Sequence, residues 1–178
     1  MTIVITRPDF FTAEAERITE LLLSGQASLV HIRKPGSTAS ETEALIRALP
    51  ASLYDRLTLH DHFHLAVRYG LHGIHLNRRN PQAPDGWPGA VSISCHSIAE
   101  LERCRRLPYS YLSLSPIFDS ISKKGYKAAF SAAELEEARL RGIIDQRVMA
   151  LGGVTFDKTT EVKRMGFGGA MILGDAWK

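Results

Sequence analysis

Short runs of β-branched and aliphatic residues alternate with segments of helical period along the whole chain. Ile3-Val4-Ile5 reads as a first strand. A helix from about Thr12 to Leu23 follows, with Ile18, Leu21 and Leu22 at helical spacing and Gly25 as its stop. Leu29-Val30-His31-Ile32 is the second strand, and Ser40 with Glu43 predicts a capping box opening a helix that ends near Pro50. Leu57 to Leu59, Gly73 to Leu76, Val91 to Ser94, Tyr111 to Leu114, Val148 to Leu151 and Ala170 to Leu173 continue the strand series. Between them fall helices at about Phe63 to Tyr69, Ile98 to Arg105 and Phe156 to Met165, and one opened by Ser131 and Glu134. Pro81 to Gly89, rich in proline and glycine, and Ser115 to Phe130 read as loops.

Alternation of this kind predicts parallel strands joined by crossover helices. Eight strands predict closure into a compact (β/α)8 TIM barrel, with an open doubly wound sheet as the other topology to weigh. Nothing in the sequence marks a linker or repeat, so one domain over residues 1–178 is expected. Only Gly174 to Lys178 follow the last strand, too short a stretch for an eighth helix, and barrels of this type run to about 250 residues. Either a partner such as a second copy covers that face, or the natural chain continues.

Composition narrows the class. With 44% hydrophobic and 23% charged residues the chain reads as a globular protein. Its net charge of +3 is too small to argue for nucleic acid but suits an anionic metabolite. Cys95 and Cys104 have no metal-type spacing, which points to free thiols in a reducing compartment. No signal peptide and no apolar run of membrane length is apparent, so a cytoplasmic protein without membrane partners is expected.

Barrel chemistry belongs to the loops that follow the strands. Gly152 and Gly153 follow the seventh strand, and Leu173 and Gly174 end the eighth, where backbone N–H groups can cradle a phosphate. The competing reading is a tight turn without a ligand. Arg33 and Lys34 end the second strand and could clamp a phosphate or pyrophosphate, or could simply be solvated. His60, His62 and His64 would converge on a zinc ion along an extended strand, but a helix beginning near His62 breaks that geometry and makes Asp61 its N-cap. After the fifth strand come Ser94, Cys95 and His96; His96 suits proton transfer, and Ser97 with Glu100 forms a capping box. Ser120, Ser122, Lys123 and Lys124 in the long loop suit a lid over phosphate.

Taken in order, these segments resemble the thiamin phosphate synthase and TenI family over nearly the whole chain. VHIRKP looks like the family's Gln-x-Arg-x-Lys strand end, and LTLHDHFHLA like its Asn-Asp segment. LHGIHLNRRN looks like DGVHLGQED, SCHSIAE like the serine motif after strand five, and SPIFDSISKKG like the GPIFPTxTKK lid. ALGGV with FGGAMILGD resembles the phosphate-binding end.

The resemblance implies one of two activities. The synthase joins a pyrimidine pyrophosphate to a thiazole phosphate, with Mg2+ holding the leaving pyrophosphate. It places the metal carboxylates at Asp61 and Asn80, the family asparagine at His60, the glutamine at His31 and the lysine at Pro35, so only Asp61 survives as a carboxylate. The tautomerase branch needs no cofactor. Its Ser-Val-His-Ser motif matches SCHS and makes His96 the proton-transferring group.

The expectation drawn is a tautomerase-like isomerase acting on a phosphorylated thiazole, with His96 and Lys123 catalytic. Substrate contacts fall to His31, Arg33, Lys34, His60, Asn80, Ser94, Ser120 and Ser122, and the phosphate to Gly152, Gly153, Leu173 and Gly174. A divergent synthase using Mg2+ at Asp61 is the alternative. A silent metabolite-binding regulator comes next, and a zinc hydrolase last.

Overall fold

The computed structural model describes residues 1–119 and 128–178. Eight parallel strands follow one another in chain order and close into a barrel with helices between them, the (β/α)8 class. The chain divides into two compact units, residues 3–91 and residues 1–2 with 92–178, taken here in turn.

In the first unit, β1 (Thr2–Ile5), β2 (Leu29–Ile32), β3 (Leu57–Leu59) and β4 (Gly73–Leu76) pair side by side. Register sets Ile5 beside His31, His31 beside Thr58, and Thr58 beside Gly73. Partners in register share a face, as do residues two apart along a strand. His31, Thr58 and His75 therefore stand on one side, with the apolar Val30, Leu57, Leu59 and Ile74 on the other.

Three α-helices cover this unit, α1 (Glu14–Leu23), α2 (Ala39–Ala48) and α3 (Phe63–Tyr69), with a 3₁₀ helix over Ala51–Arg56. α1 buries Ile18, Leu21 and Leu22, as their spacing predicts. The capping box of α2 is not Ser40 with Glu43 but Thr38 with Glu41, two residues earlier. Glu43 is engaged elsewhere, by the Tyr69 hydroxyl and Arg68. Thr38→Ala is expected to cost about 1 kcal/mol, read as a shift in urea midpoint; Ser40→Ala is expected to leave the midpoint in place.

The N-cap of α3 is His62, in left-handed conformation at φ 54°, and no side chain caps it. Asp61 is therefore not the cap, and its carboxylate is engaged by Arg79 and Asn80 instead.

In the second unit, β5 (Ala90–Cys95), β6 (Tyr111–Leu114), β7 (Val148–Leu151) and β8 (Gly169–Ile172) pair in turn through the residues from 92 on. Their helices are α4 (Ile98–Cys104), α5 (Ala132–Leu140) and α6 (Thr159–Arg164). Ser131 and Glu134 form the expected box on α5. At α4 only half the box forms: Ser97 accepts from Glu100 N–H, while the Glu100 carboxylate takes His96 N–H at 2.7 Å. The helix expected over Phe156 to Met165 is split, with a 3₁₀ turn over Phe156–Lys158 before α6. After β8 the chain makes one 3₁₀ turn, Gly174–Trp177. Among the described residues no helix is long and apolar enough to cross a membrane.

Candidate active site

The ends of β2, β3 and β4 carry the first group of functional side chains. Asp61, just past β3, accepts from Arg79 Nη2 at 3.2 Å and from Asn80 Nδ2 at 2.8 Å. Asn80 Nδ2 also donates to the His60 carbonyl, as does Asn77 Nδ2, so the turn after β4 is tied to the end of β3. Asn77 shapes that turn by accepting the backbone N–H of Arg79 at 2.9 Å.

Arg33 completes the cluster. Its backbone is held by Thr6, whose hydroxyl accepts Arg33 N–H at 2.9 Å. Burial, and then the nearby positive charge of Arg79, holds its guanidinium pKa below the usual value, while Asp61 opposes this. Among the described residues Arg33 makes no ion pair. Two guanidinium groups against one carboxylate leave net positive charge, which favours an anion.

Lys34 does not join this cluster. It is fully buried, with Nζ 2.6 and 2.8 Å from the two Glu14 oxygens and 2.7 Å from the Asp9 carbonyl. A strand end aims successive residues to opposite sides, and Lys34 follows the side that faces α1. The substrate contact expected of it is therefore corrected to a structural ion pair.

His31 and His60 are buried and in mutual contact, Nδ1 to Nε2 at 2.9 Å. His75, to which no sequence motif assigns a role, completes a trio with them: its ring stacks on His60 at 4.4 Å and lies 5.1 Å from His31. Burial pushes all three imidazoles toward the neutral form, His75 to a pKa of about 3. The set His60, His62 and His64 does not assemble. His62 turns away to the Ser37 carbonyl at 2.8 Å, and His64 is exposed on α3.

In the second unit His96 follows β5 and is exposed. Its Nδ1 lies 3.2 Å from the Ser115 hydroxyl, a partner the sequence did not suggest. Ser113 donates to Ser94 at 3.3 Å. Cys95 is buried, and burial pushes its thiol well above the ordinary range, so it is no nucleophile.

Gly152 and Gly153 both have positive φ, 91° and 63°. A Cβ on Gly153 would come within 2.3 Å of the Asp119 carbonyl, and one on Gly152 within 2.7 Å of Pro116. Glycine is required here because the backbone after β6 lies against this turn, with Phe118 N–H donating to Gly152 O at 3.0 Å. Leu173 and Gly174 begin the turn after β8, and Asp175 ties it to the β7 loop by accepting Phe156 N–H at 3.0 Å. Ser120, Ser122, Lys123 and Lys124 lie outside the described residues.

The magnesium that the synthase reading implies finds a poor donor set. Among the described residues Asp61 is the one carboxylate that Arg79 and Asn80 bind, and both its oxygens are engaged by Arg79, one of them also by Asn80. Asn80 presents its amide nitrogen to that carboxylate, which leaves no second anionic oxygen for a hard cation. These residues as arranged do not fit a protein-held magnesium ion.

Eight parallel strands closed into a barrel, with titratable and cationic side chains in the segments that follow strands of each unit, place the chain in the (β/α)8-barrel class. Comparison with known proteins makes the class specific. The family model described as thiamine monophosphate synthase matches residues 2–174, and the chain belongs to that family of thiamin-biosynthesis enzymes. It is similar to the thiamine-phosphate synthase of Serratia proteamaculans, 27% identical over 167 residues, covering 89% of this chain and 77% of the relative. The Bacillus velezensis thiamine-phosphate synthase is 23% identical over 172 residues, 91% of this chain and 76% of the relative. Among solved structures, a thiamine phosphate pyrophosphorylase from Bacteroides thetaiotaomicron matches with 42% identity and a TM-score of 0.88, over 99% of this chain and 84% of that one. The Pyrococcus furiosus pyrophosphorylase, 18% identical with a TM-score of 0.71 over 98% of this chain and 89% of that one, shares the fold.

Proposed function

We propose that this chain is a thiamin phosphate synthase, joining a pyrimidine pyrophosphate to a thiazole phosphate and releasing pyrophosphate. The observation that carries this reading is the 42% identity to a thiamine phosphate pyrophosphorylase across nearly the whole chain. The sequence alone favours the tautomerase; the comparisons favour the synthase.

The local chemistry supports the assignment. As the bond to pyrophosphate breaks, negative charge grows on the leaving group, and fixed cations stabilise it. Arg33 is the group proposed to meet that charge, with Arg79 positioned by Asp61 beside it. Backbone N–H groups of Gly153 and Gly174 are proposed to hold the thiazole phosphate. Lys123, with Ser120 and Ser122, keeps its proposed anion-contacting role on sequence alone, as do His31, His60, Asn80 and Ser94 as lining groups.

One observation favours the tautomerase as a second reading. His96 stands exposed after β5 with Ser115 fixing its ring, an arrangement suited to moving a proton. Supplying both synthase substrates, with magnesium and separately with chelator, decides between them. Thiamin phosphate formation is the expected result. Its absence, with proton exchange on a thiazole carboxylate phosphate that His96→Gln abolishes, would replace the proposal. In the synthase assay Arg33→Met is expected to raise KM for the pyrophosphate substrate by about 10- to 100-fold, the range for losing a charged hydrogen bond.

A further inference from the structure

The trio His31, His60 and His75 is a side-chain cluster to which the proposed reaction gives only a lining role, at His31 and His60. β2 and β4 are separated by β3, so their axes lie ~10 Å apart. The His31 and His75 rings nonetheless approach to 5.1 Å. Side chains converge in this way only on the concave side of a curved sheet, so the trio faces the barrel interior. One nitrogen from each ring can be chosen so that all lie within 4.8 Å of one another.

A tetrahedral ion bound at about 2.0–2.1 Å sets its nitrogen ligands about 3.4 Å apart. The chosen ring nitrogens stand within 4.8 Å of one another, and because His60 and His75 are stacked with their planes 25° apart, an ion would draw those two rings round toward a common point. The contact of 2.9 Å between His31 Nδ1 and His60 Nε2 is a pair sharing one proton. A metal ion would take that proton's place. Burial keeps the imidazoles neutral, which is the form that ligates.

A second observation points to the same place. The Thr58 hydroxyl is buried and has no hydrogen-bond partner among the described residues. Thr58 is in register with His31 and two residues before His60, so it shares their face. An unpartnered polar group beside three converging imidazoles is what a bound ion, or the water completing its shell, would satisfy.

We propose that His31, His60 and His75 form a site for a borderline, nitrogen-preferring divalent ion of the zinc class, with Thr58 as its neighbouring oxygen. Three imidazoles without a carboxylate select against magnesium and calcium. The site borders the Asp61 cluster, whose Arg33 and Arg79 act electrostatically on His60, and the proposal stands whether or not the synthase reading holds.

The full chain, stripped of metal, is titrated with Zn2+ by calorimetry in the absence of substrates, and the bound ion's ligands are read by X-ray absorption. One ion per chain with three imidazole ligands and no sulfur is expected. His75→Gln is expected to weaken binding by more than about 100-fold, since loss of a mere supporting partner already costs 10- to 100-fold. His31→Gln and His60→Asn, which restore the residue types that the family resemblance places there, are expected to do the same. His64→Gln is expected to leave binding unchanged. No saturable binding, sulfur in the shell, or unchanged affinity in the folded His31→Gln and His60→Asn proteins would each overturn the proposal. Should every variant fail to fold, the ligand count on the unsubstituted chain decides it.

Discussion

The metal-free protein is expected to lose stability steeply as pH falls from about 7 toward 5. His75 has its pKa lowered by burial from the ordinary 6.5 to about 3. Between those values the unfolded chain binds a proton that the folded chain does not, so stability rises with pH across the window and is lost on acidification. For His75 alone the loss at pH 5 is ~2 kcal/mol. His31 and His60 are shifted in the same direction, by burial first and by neighbouring histidines next, so their losses add to it. Against a typical domain stability of about 5–15 kcal/mol, the sum is a large share. Glu14 works the other way at lower pH. Burial raises its carboxyl pKa, so the folded state takes up a proton there before the unfolded state does. Urea midpoints at pH 7.5, 6.5 and 5.5 isolate the histidine window. A midpoint that stays level across it would mean the trio is neither buried nor neutral. His75→Gln is expected to flatten the slope.

The strands were legible because a barrel strand is short, β-branched and bounded by turn residues. Register, which builds the site, was not. His31, Thr58, His60 and His75 are scattered over the sequence, and only the pairing of β2, β3 and β4 sets them together. The sequence shows only the neighbouring His60, His62 and His64, a trio that the helix beginning near His62 already argues against, and the structure does not assemble them. The α2 boundary shows a second limit. Thr38 with Glu41 and Ser40 with Glu43 both fit the capping pattern, and local sequence cannot rank them. Tertiary contacts do, because Glu43 is claimed by Tyr69 and Arg68. Asp61 is legible as a ligand type, whereas nothing in the sequence distinguishes its partner Arg79 from the other polar residues after β4. The tautomerase expectation rests on the departures at His31, Pro35, His60 and Asn80 and on the short motif around His96, and whole-chain similarity outweighs both.

Glu14→Ala is expected to destabilise the protein by about 3–5 kcal/mol, the cost of leaving one buried charge without its partner. The Lys34 and Glu14 side chains are 1% and 2% exposed, so water cannot replace the lost carboxylate. Removing it would leave the ammonium with the Asp9 carbonyl and the face of Phe10, whose ring centroid lies 4.5 Å away. Neither supplies a full negative charge. The pair itself is no large source of stability. Burial raises the Glu14 pKa and lowers that of Lys34, so for each group desolvation outweighs the attraction that opposes it. That asymmetry separates two explanations of the single-variant result. If the loss reflects an orphaned charge, the double variant Glu14→Leu with Lys34→Met is expected to recover most of it, since apolar replacement of a buried pair is often neutral or better. If the loss reflects packing of α1 on β2, the double variant stays as unstable as the single one. Urea unfolding of the three proteins at pH 7.5 distinguishes these outcomes. Recovery would also confirm that Lys34 holds the barrel wall and does not serve the substrate.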